Sequence, residues 1–270
     1  MESILSGHGL DIHVVEAVDG RKVDTAVDAF WNANPRRRLL NAGEIGCMMS
    51  HISIWRRIVS ERIDCAVVLE DDLCVSSGFG DLIRAIGDLP DIGLLKLDTD
   101  QNPVVTHNHS TTSILGHECH RLLKGGSRTG GYVIWRSAAE QMLSNTDVLC
   151  DSIDIEMFRP RKTRANHPDA HQLIPAICIQ AELVPGITQD MPYLTSTIDS
   201  HGVRGDARLG LSRSSEALPV RLIRRILRPA KQALLNAWYR NFGMRRQKIG
   251  CSEVPDTSEA KLRLDTAARA

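Results

Sequence analysis

Glu70, Asp71 and Asp72 follow one another directly after a short, wholly apolar run, CAVVL (65–69). Three adjacent carboxylates raise one another's pKa or recruit a cation. Oxygen-only ligands suit the hard ions Mg2+ or Mn2+, which take further ligands from water and from substrate phosphates. Such a run could hold a metal–diphosphate, the ion neutralising charge on a departing nucleotide. The plainer alternative is that Asp71 and Asp72 end the strand and cap the helix that follows. Asp98 ends a second apolar run, IGLLKL (92–97), in the same way.

Glu44 and His51 stand seven residues apart in an amphipathic stretch, on one side of a helix and about 10.5 Å from each other. That is too far for a direct hydrogen bond. They are either a helix-terminal acid and a satisfied, partly buried histidine, or two groups that reach ligand hydroxyls. Gly130 and Gly131 precede the run YVIW (132–135), and no Lys-Ser/Thr follows them as in a phosphate-cradling loop. They allow a close backbone approach to a ligand or a plain turn.

The elements that must position these groups are legible from periodicity. A helix is expected at about 43–60, with Asn41 as cap, Glu44 three residues on, and Ile45, Met48, Met49, Ile52, Trp55 and Val59 on one face. Strands are expected at 65–69, 92–97, 132–135 and 173–179, where Pro175 suggests an edge or a bulge. A hairpin strand is expected within 114–123, helices at 79–87 and 137–143, and a polar surface loop at 99–113. Alternating strands and helices predict an α/β fold with a mostly parallel sheet flanked by helices. In such sheets ligands sit beyond the carboxyl ends of the strands, where Glu70, Asp71, Asp72 and Asp98 stand.

The chain is formally neutral and only 4% aromatic, so neither charge nor stacking platforms point to nucleic acid. Nine basic residues and no acidic one lie between Glu216 and Glu253. The segment 219–246 interleaves these arginines with Leu222, Ile223, Ile226, Leu227, Leu234, Leu235 and Trp238. This suits a helix lying on an anionic bilayer; packing on the acidic body and contact with RNA are the alternatives. The expected organisation is a domain over 1–204, a linker and basic amphipathic helical extension over 205–250, and a disordered tail over 251–270. The seven cysteines are scattered without a CxxC pair, which reads as reduced thiols in the cytosol and argues against zinc. Met1–His13 lacks a signal peptide's basic and apolar regions, and no apolar stretch approaches the roughly 18–20 residues of a spanning helix.

In combination these segments resemble glycosyltransferase family 25, the lipopolysaccharide and lipooligosaccharide galactosyltransferase-like enzymes. Glu16-Ala17-Val18-Asp19-Gly20 is similar to the family's A-V-D-G. Gly43-Glu44-Ile45-Gly46-Cys47 through Ser50-His51 and Trp55 resembles its G-E-[IV]-G-C-x-x-S-H-x-x-x-W helix, and Val67 to Asp72 its strand with E-D-D. Thr129 to Ile134 is similar to its G-T-x-G-Y segment, Ile153-Asp154 to its [PV]-[VI]-D, and Pro175 to Gln180 to its P-x-[IVL]-x-x-Q. The order is kept over roughly residues 10–190.

The resemblance implies a GT-A-like nucleotide-binding fold and inverting transfer of a sugar, often galactose, from a UDP-sugar to a lipopolysaccharide or other cell-surface glycan. It implies Asp71 and Asp72 as ligands of Mn2+ or Mg2+; from their positions, Glu44, His51, Glu70, Gly130, Gly131 and Asp98 are expected around the donor. Inverting transfer needs a base; Asp154 is the expected one, with Asp151, Glu156 and Asp98 as alternatives, or Asp154 caps a helix. The expected partners are a UDP-sugar, a glycolipid acceptor and an anionic membrane surface, with no nucleic acid. The expected location is cytoplasmic, peripheral on the inner face of the membrane. Family members usually open on an apolar strand of the type I-x-V-I-N-L, which Met1–Gly9 lacks. The expectation is therefore a start placed late or a donor site short of one element. A non-catalytic, membrane-associated binding protein in glycan assembly is the alternative reading.

Overall fold

A computed structural model describes residues 2–10, 12–23, 40–146, 149, 151–159, 166–184, 229 and 232–252. Helix α1 is Glu2–Gly7. Residues 12–19 form no regular element, and Val14 and Val15 lie exposed. Helix α2, Ala42–Ser60, opens on the expected capping box. Asn41 Oδ1 accepts from Glu44 N (2.9 Å), and Glu44 Oε2 accepts from Asn41 N (3.0 Å). Ile45, Met48, Ile52, Trp55 and Ile58 bury its inner stripe, with Ile58 in the place expected for Val59. Helices α3 (Phe79–Ala85), α4 (Arg136–Ser144) and α5 (Ile153–Phe158) follow.

The strands are β1 (Cys65–Leu69), β2 (Leu73–Val75), β3 (Leu94–Lys96), β4 (Asp98–Thr99), β5 (Pro103–Ile114), β6 (His117–Lys124), β7 (Gly131–Trp135), β8 (Ala170–Ile174), β9 (Cys178–Gln180) and β10 (Met244–Lys248). Seven form a sheet in the order β1-β7-β3-β8-β6-β5-β10, and three form a second in the order β2-β9-β4.

The sheet is mixed and mostly antiparallel, which corrects the expectation of a parallel one. Among the described residues, β3–β8 is the one parallel pair in the large sheet and the other five pairs are antiparallel. The apolar runs that suggested parallel strands have another cause. Tyr132 and Ile134 of β7 face one core with α2, α4 and α5, while Val133 and Trp135 face a second core with α1 and α3. Burial on both faces makes a continuous apolar strand whatever its direction. The expected loop 99–113 is a second correction: most of it is β5, which pairs with β6 on one side and β10 on the other. The expected strand 173–179 is divided at the cis Ile174–Pro175 peptide into β8 and β9, one for each sheet.

Residues 232–241 are helical and lead into β10. Five of the nine basic residues, Arg221, Arg224, Arg225, Arg228 and Lys231, lie outside the described residues, as do the expected boundary at 204 and the tail from 253.

Candidate functional site

The carboxyl end of β1 delivers Glu70, whose backbone N–H donates to Gly130 O (2.7 Å). Its side chain is fixed from two directions: Thr129 Oγ1 donates to Oε1 (2.6 Å) and Gln180 Nε2 to Oε2 (3.0 Å). Gln180 Nε2 also stands 3.3 and 3.5 Å from the two Asp72 oxygens, so one amide links two acids of the run. The pairing of β2 with β9, Leu73 opposite Gln180, brings these residues together.

His51 reaches the same point from α2. Its Nδ1 meets Tyr132 Oη at 2.7 Å, and that oxygen accepts from Trp55 Nε1 (3.2 Å). Its Nε2 stands 3.8 Å from Glu70 Oε1. Cys47, one turn earlier on α2, brings Sγ to the same place: the ligand atoms of Cys47, His51 and Glu70 all lie within 4.8 Å of one another.

The electrostatics divide the acids. Burial would raise Glu70, but His51, the Thr129 hydroxyl and Lys96 outweigh it and hold its carboxyl below the usual range. Burial opposes charge on His51, yet Tyr132, Cys47 and Glu70 raise its pKa well above the ordinary histidine value. Asp72 goes the other way: burial, Glu70 and Asp71 together push it up to about 7. Asp71 is exposed. A half-buried carboxyl at about 7 beside an exposed acid fits a divalent cation, whose charge would relieve the repulsion that raises it.

Asp98 lies beneath, wholly buried, with Oδ1 accepting from Lys96 Nζ (2.5 Å) and Oδ2 without a partner. Burial raises it to about 6 against the pull of Lys96. Lys96 Nζ also donates to Arg128 O (2.8 Å) and lies over the Phe158 ring (4.8 Å). Gly130 and Gly131 are the tight floor between these layers. A Cβ on Gly130 would come within 2.9 Å of Leu73 Cδ2 and 3.2 Å of Asp98 Oδ2; one on Gly131 would meet Cys178 Sγ at 2.7 Å. Their smallness serves packing against the protein itself.

Asp154 touches the site through a neighbour. Its Oδ2 accepts from Arg128 N (3.0 Å) and its Oδ1 from Ser152 Oγ (2.6 Å), in the first turn of α5. Arg128, held at φ +70°, sends its guanidinium to Gln180 Oε1 and Glu182 Oε1. Glu44, at the far end of α2, is engaged in the capping box. Of the expected site residues, the structure gathers His51, Glu70, Asp71, Asp72, Asp98, Gly130 and Gly131 at one end of β1, and ties Asp154 to them by way of Arg128. Thr129, Tyr132 and Gln180 were visible only as motif positions, and Arg128 and Lys96 gave no signal of their own. A shallow depression of about 620 Å3, bordered by Asp64, Asp91, Trp135 and Arg136, opens at the opposite end of β1 and takes no part in this network.

The profile of a family described as glycosyltransferase family 25 (LPS biosynthesis protein) matches residues 1–157, more than half of the chain. The chain is 26% identical over 153 residues to the lipooligosaccharide biosynthesis protein lex-1 of Haemophilus influenzae, covering 53% of this chain and 51% of that one. It is 33% identical over 72 residues to procollagen galactosyltransferase 2 of Mus musculus, covering 24% of this chain and 12% of that one. It is also 36% identical over 74 residues to the probable inactive glycosyltransferase 25 family member 3 of Bos taurus, at 24% and 12% coverage. The matched stretches thus span about half of the first relative's length and about an eighth of the other two.

Proposed function

The chain belongs to glycosyltransferase family 25, and from that premise we propose that it moves a sugar, galactose by preference, from a UDP-sugar to a lipopolysaccharide or similar surface glycan. One observation carries this reading: Glu70, Asp71 and Asp72 stand together at the end of β1, held through Gln180 and Thr129, in a chain whose first 157 residues match the family. Asp71 and Asp72 would hold Mn2+ or Mg2+, which when bound supplies positive charge to the donor diphosphate. Glu70, fixed by Thr129 and Gln180, faces the donor, while His51, Gly130, Gly131 and Asp98 shape the floor beneath it. Glu44 orients the first turn of α2 through its capping box. Relatives named as galactosyltransferases favour catalysis; one named as probably inactive favours the alternative, a non-catalytic glycan-binding role.

We assign the base to Asp154. Each carboxylate oxygen keeps a lone pair after its bonds to Arg128 N and Ser152 Oγ, so it can still accept a proton from an acceptor hydroxyl. Asp154→Asn should lower kcat for UDP-galactose transfer about 10²- to 10⁴-fold with KM for the donor little changed. A variant that keeps kcat but loses donor affinity would make Asp154 a holder of the Arg128 loop and refute the assignment. If the wild type neither binds UDP nor turns over a UDP-sugar with Mn2+, the enzyme reading falls and the binding role stands.

A peripheral place on an anionic membrane completes the proposal. Leu234 and Trp238 are exposed on the helix before β10 and Phe242 in the turn that follows it, near Arg240, Arg245, Arg246 and Lys248 in the chain. Among the described residues no helix is long and apolar enough to cross a membrane. Trp238→Glu with Phe242→Glu should abolish sedimentation with phosphatidylglycerol vesicles at ~0.1 M salt. Undiminished sedimentation of that variant would remove the membrane from the account.

A further inference from the structure

We propose that Cys47, His51 and Glu70 form a zinc site, distinct from the Asp71–Asp72 pair and sharing Glu70 and His51 with the floor beneath the donor. The three ligand atoms, a sulfur, an imidazole nitrogen and a carboxylate oxygen, lie within 4.8 Å of one another. A tetrahedral Zn2+ takes nitrogen and oxygen at about 2.0–2.2 Å and sulfur at about 2.3 Å, which sets ligands about 3.3–3.7 Å apart. His51 Nε2 and Glu70 Oε1 stand at 3.8 Å, too long for a hydrogen bond and close to that spacing.

Each ligand is held by rigid structure. Cys47 and His51 are four residues apart on α2, and so share one face of a capped helix of 19 residues. The other ring nitrogen of His51 is engaged by Tyr132 Oη, itself fixed by Trp55 Nε1. Such an outer partner selects the tautomer and aims the remaining nitrogen at a metal. Glu70 is oriented by Thr129 and Gln180. The mixed S, N, O set favours a borderline-soft ion over the hard ions that suit Asp71 and Asp72. A search for CxxC cannot find this arrangement, because two ligands come from one helix turn and the third from a strand end. Zinc here would clamp α2 to β1 and fix the position from which the acidic run projects.

The test uses the full chain, stripped with a chelator and titrated with Co2+ and then Zn2+. One equivalent of Co2+ should give the near-ultraviolet thiolate-to-cobalt charge-transfer band. Cys47→Ala should abolish the band, while Asp72→Asn and Cys74→Ser should keep it. Independently of any variant, one equivalent of Zn2+ should slow alkylation of Cys47 in the wild type at least tenfold, read by peptide mass. A band that survives Cys47→Ala, no band in the wild type, or an unchanged alkylation rate would each overturn the site.

Discussion

Asp72→Asn should lower UDP-sugar turnover by about 10²- to 10³-fold in saturating Mn2+, the loss expected when one electrostatic partner of a developing charge is removed. The same variant should fold more stably than the wild type above neutral pH without metal. Asp72 has an ordinary value of 3.8 and a folded value of about 7. Below about pH 4 the carboxyl is protonated in both states and makes no difference. Between pH 4 and 7 the unfolded chain ionises while the folded one does not, so stability falls as pH rises through that window. Above 7 the full cost remains. The shift of about three units corresponds to some 4 kcal/mol at most, and to about 1–2 kcal/mol after screening of a half-buried group. Urea titrations at pH 5 and pH 8 check this: asparagine should gain stability at pH 8 and little at pH 5. Mn2+ should stabilise the wild type at pH 8 and leave the variant nearly unmoved. Equal wild-type and variant stabilities at pH 8, with an equal response to Mn2+, would take the metal away from Asp72.

How far the sequence foretold this site depends on the range of the interactions that build it. Helix α2 was legible because its cap, its period and its apolar stripe are local: Asn41, Glu44, Ile45, Met48 and Ile52 lie within 12 residues. The end of β1 was legible for the same reason, since a charged triplet after CAVVL reports a strand leaving the core. Strand β5 was not. Its THNHSTTS stretch is polar and mostly exposed, and it is a strand because β6 pairs along it, with β10 joining at Thr106 and His107. Strand direction was hidden as well, because cores on both faces erase the alternation that marks a one-sided antiparallel sheet. The contacts that fix Glu70 come from Thr129 and Gln180, 59 and 110 residues away. No local pattern specifies them; the β2–β9 pairing and the turn before β7 do. The motif order along the chain stood in for that missing geometry, which is why Gln180 surfaced as part of a pattern before it had a role.

Asp98→Ala should be the most destabilising single change in the site, by about 3–5 kcal/mol, because it strands the ammonium of Lys96 in the core. Lys96 and Asp98 are 1% and 0% exposed, and the Nζ–Oδ1 contact of 2.5 Å is the pair's main compensation. For a chain of this size that loss corresponds to a fall in melting temperature of roughly 10 °C. Asp98→Leu combined with Lys96→Met removes both charges and fills nearly the same volume, so most of the stability should return. Activity should not return with it. Lys96 also ties down the Arg128 carbonyl, and the next residue along, Thr129, orients Glu70. With Met at 96 that loop loses its anchor, and Glu70 loses the hydroxyl that sets its direction. Thermal melts and transfer assays on the single and double variants separate the two roles: stability should follow the removal of an unpaired charge, and turnover the integrity of the Arg128–Thr129 turn. A double variant as active as the wild type would show that the buried pair serves folding alone. A single Asp98→Ala that melts within 2 °C of the wild type would show that Lys96 finds another partner when its carboxylate is gone.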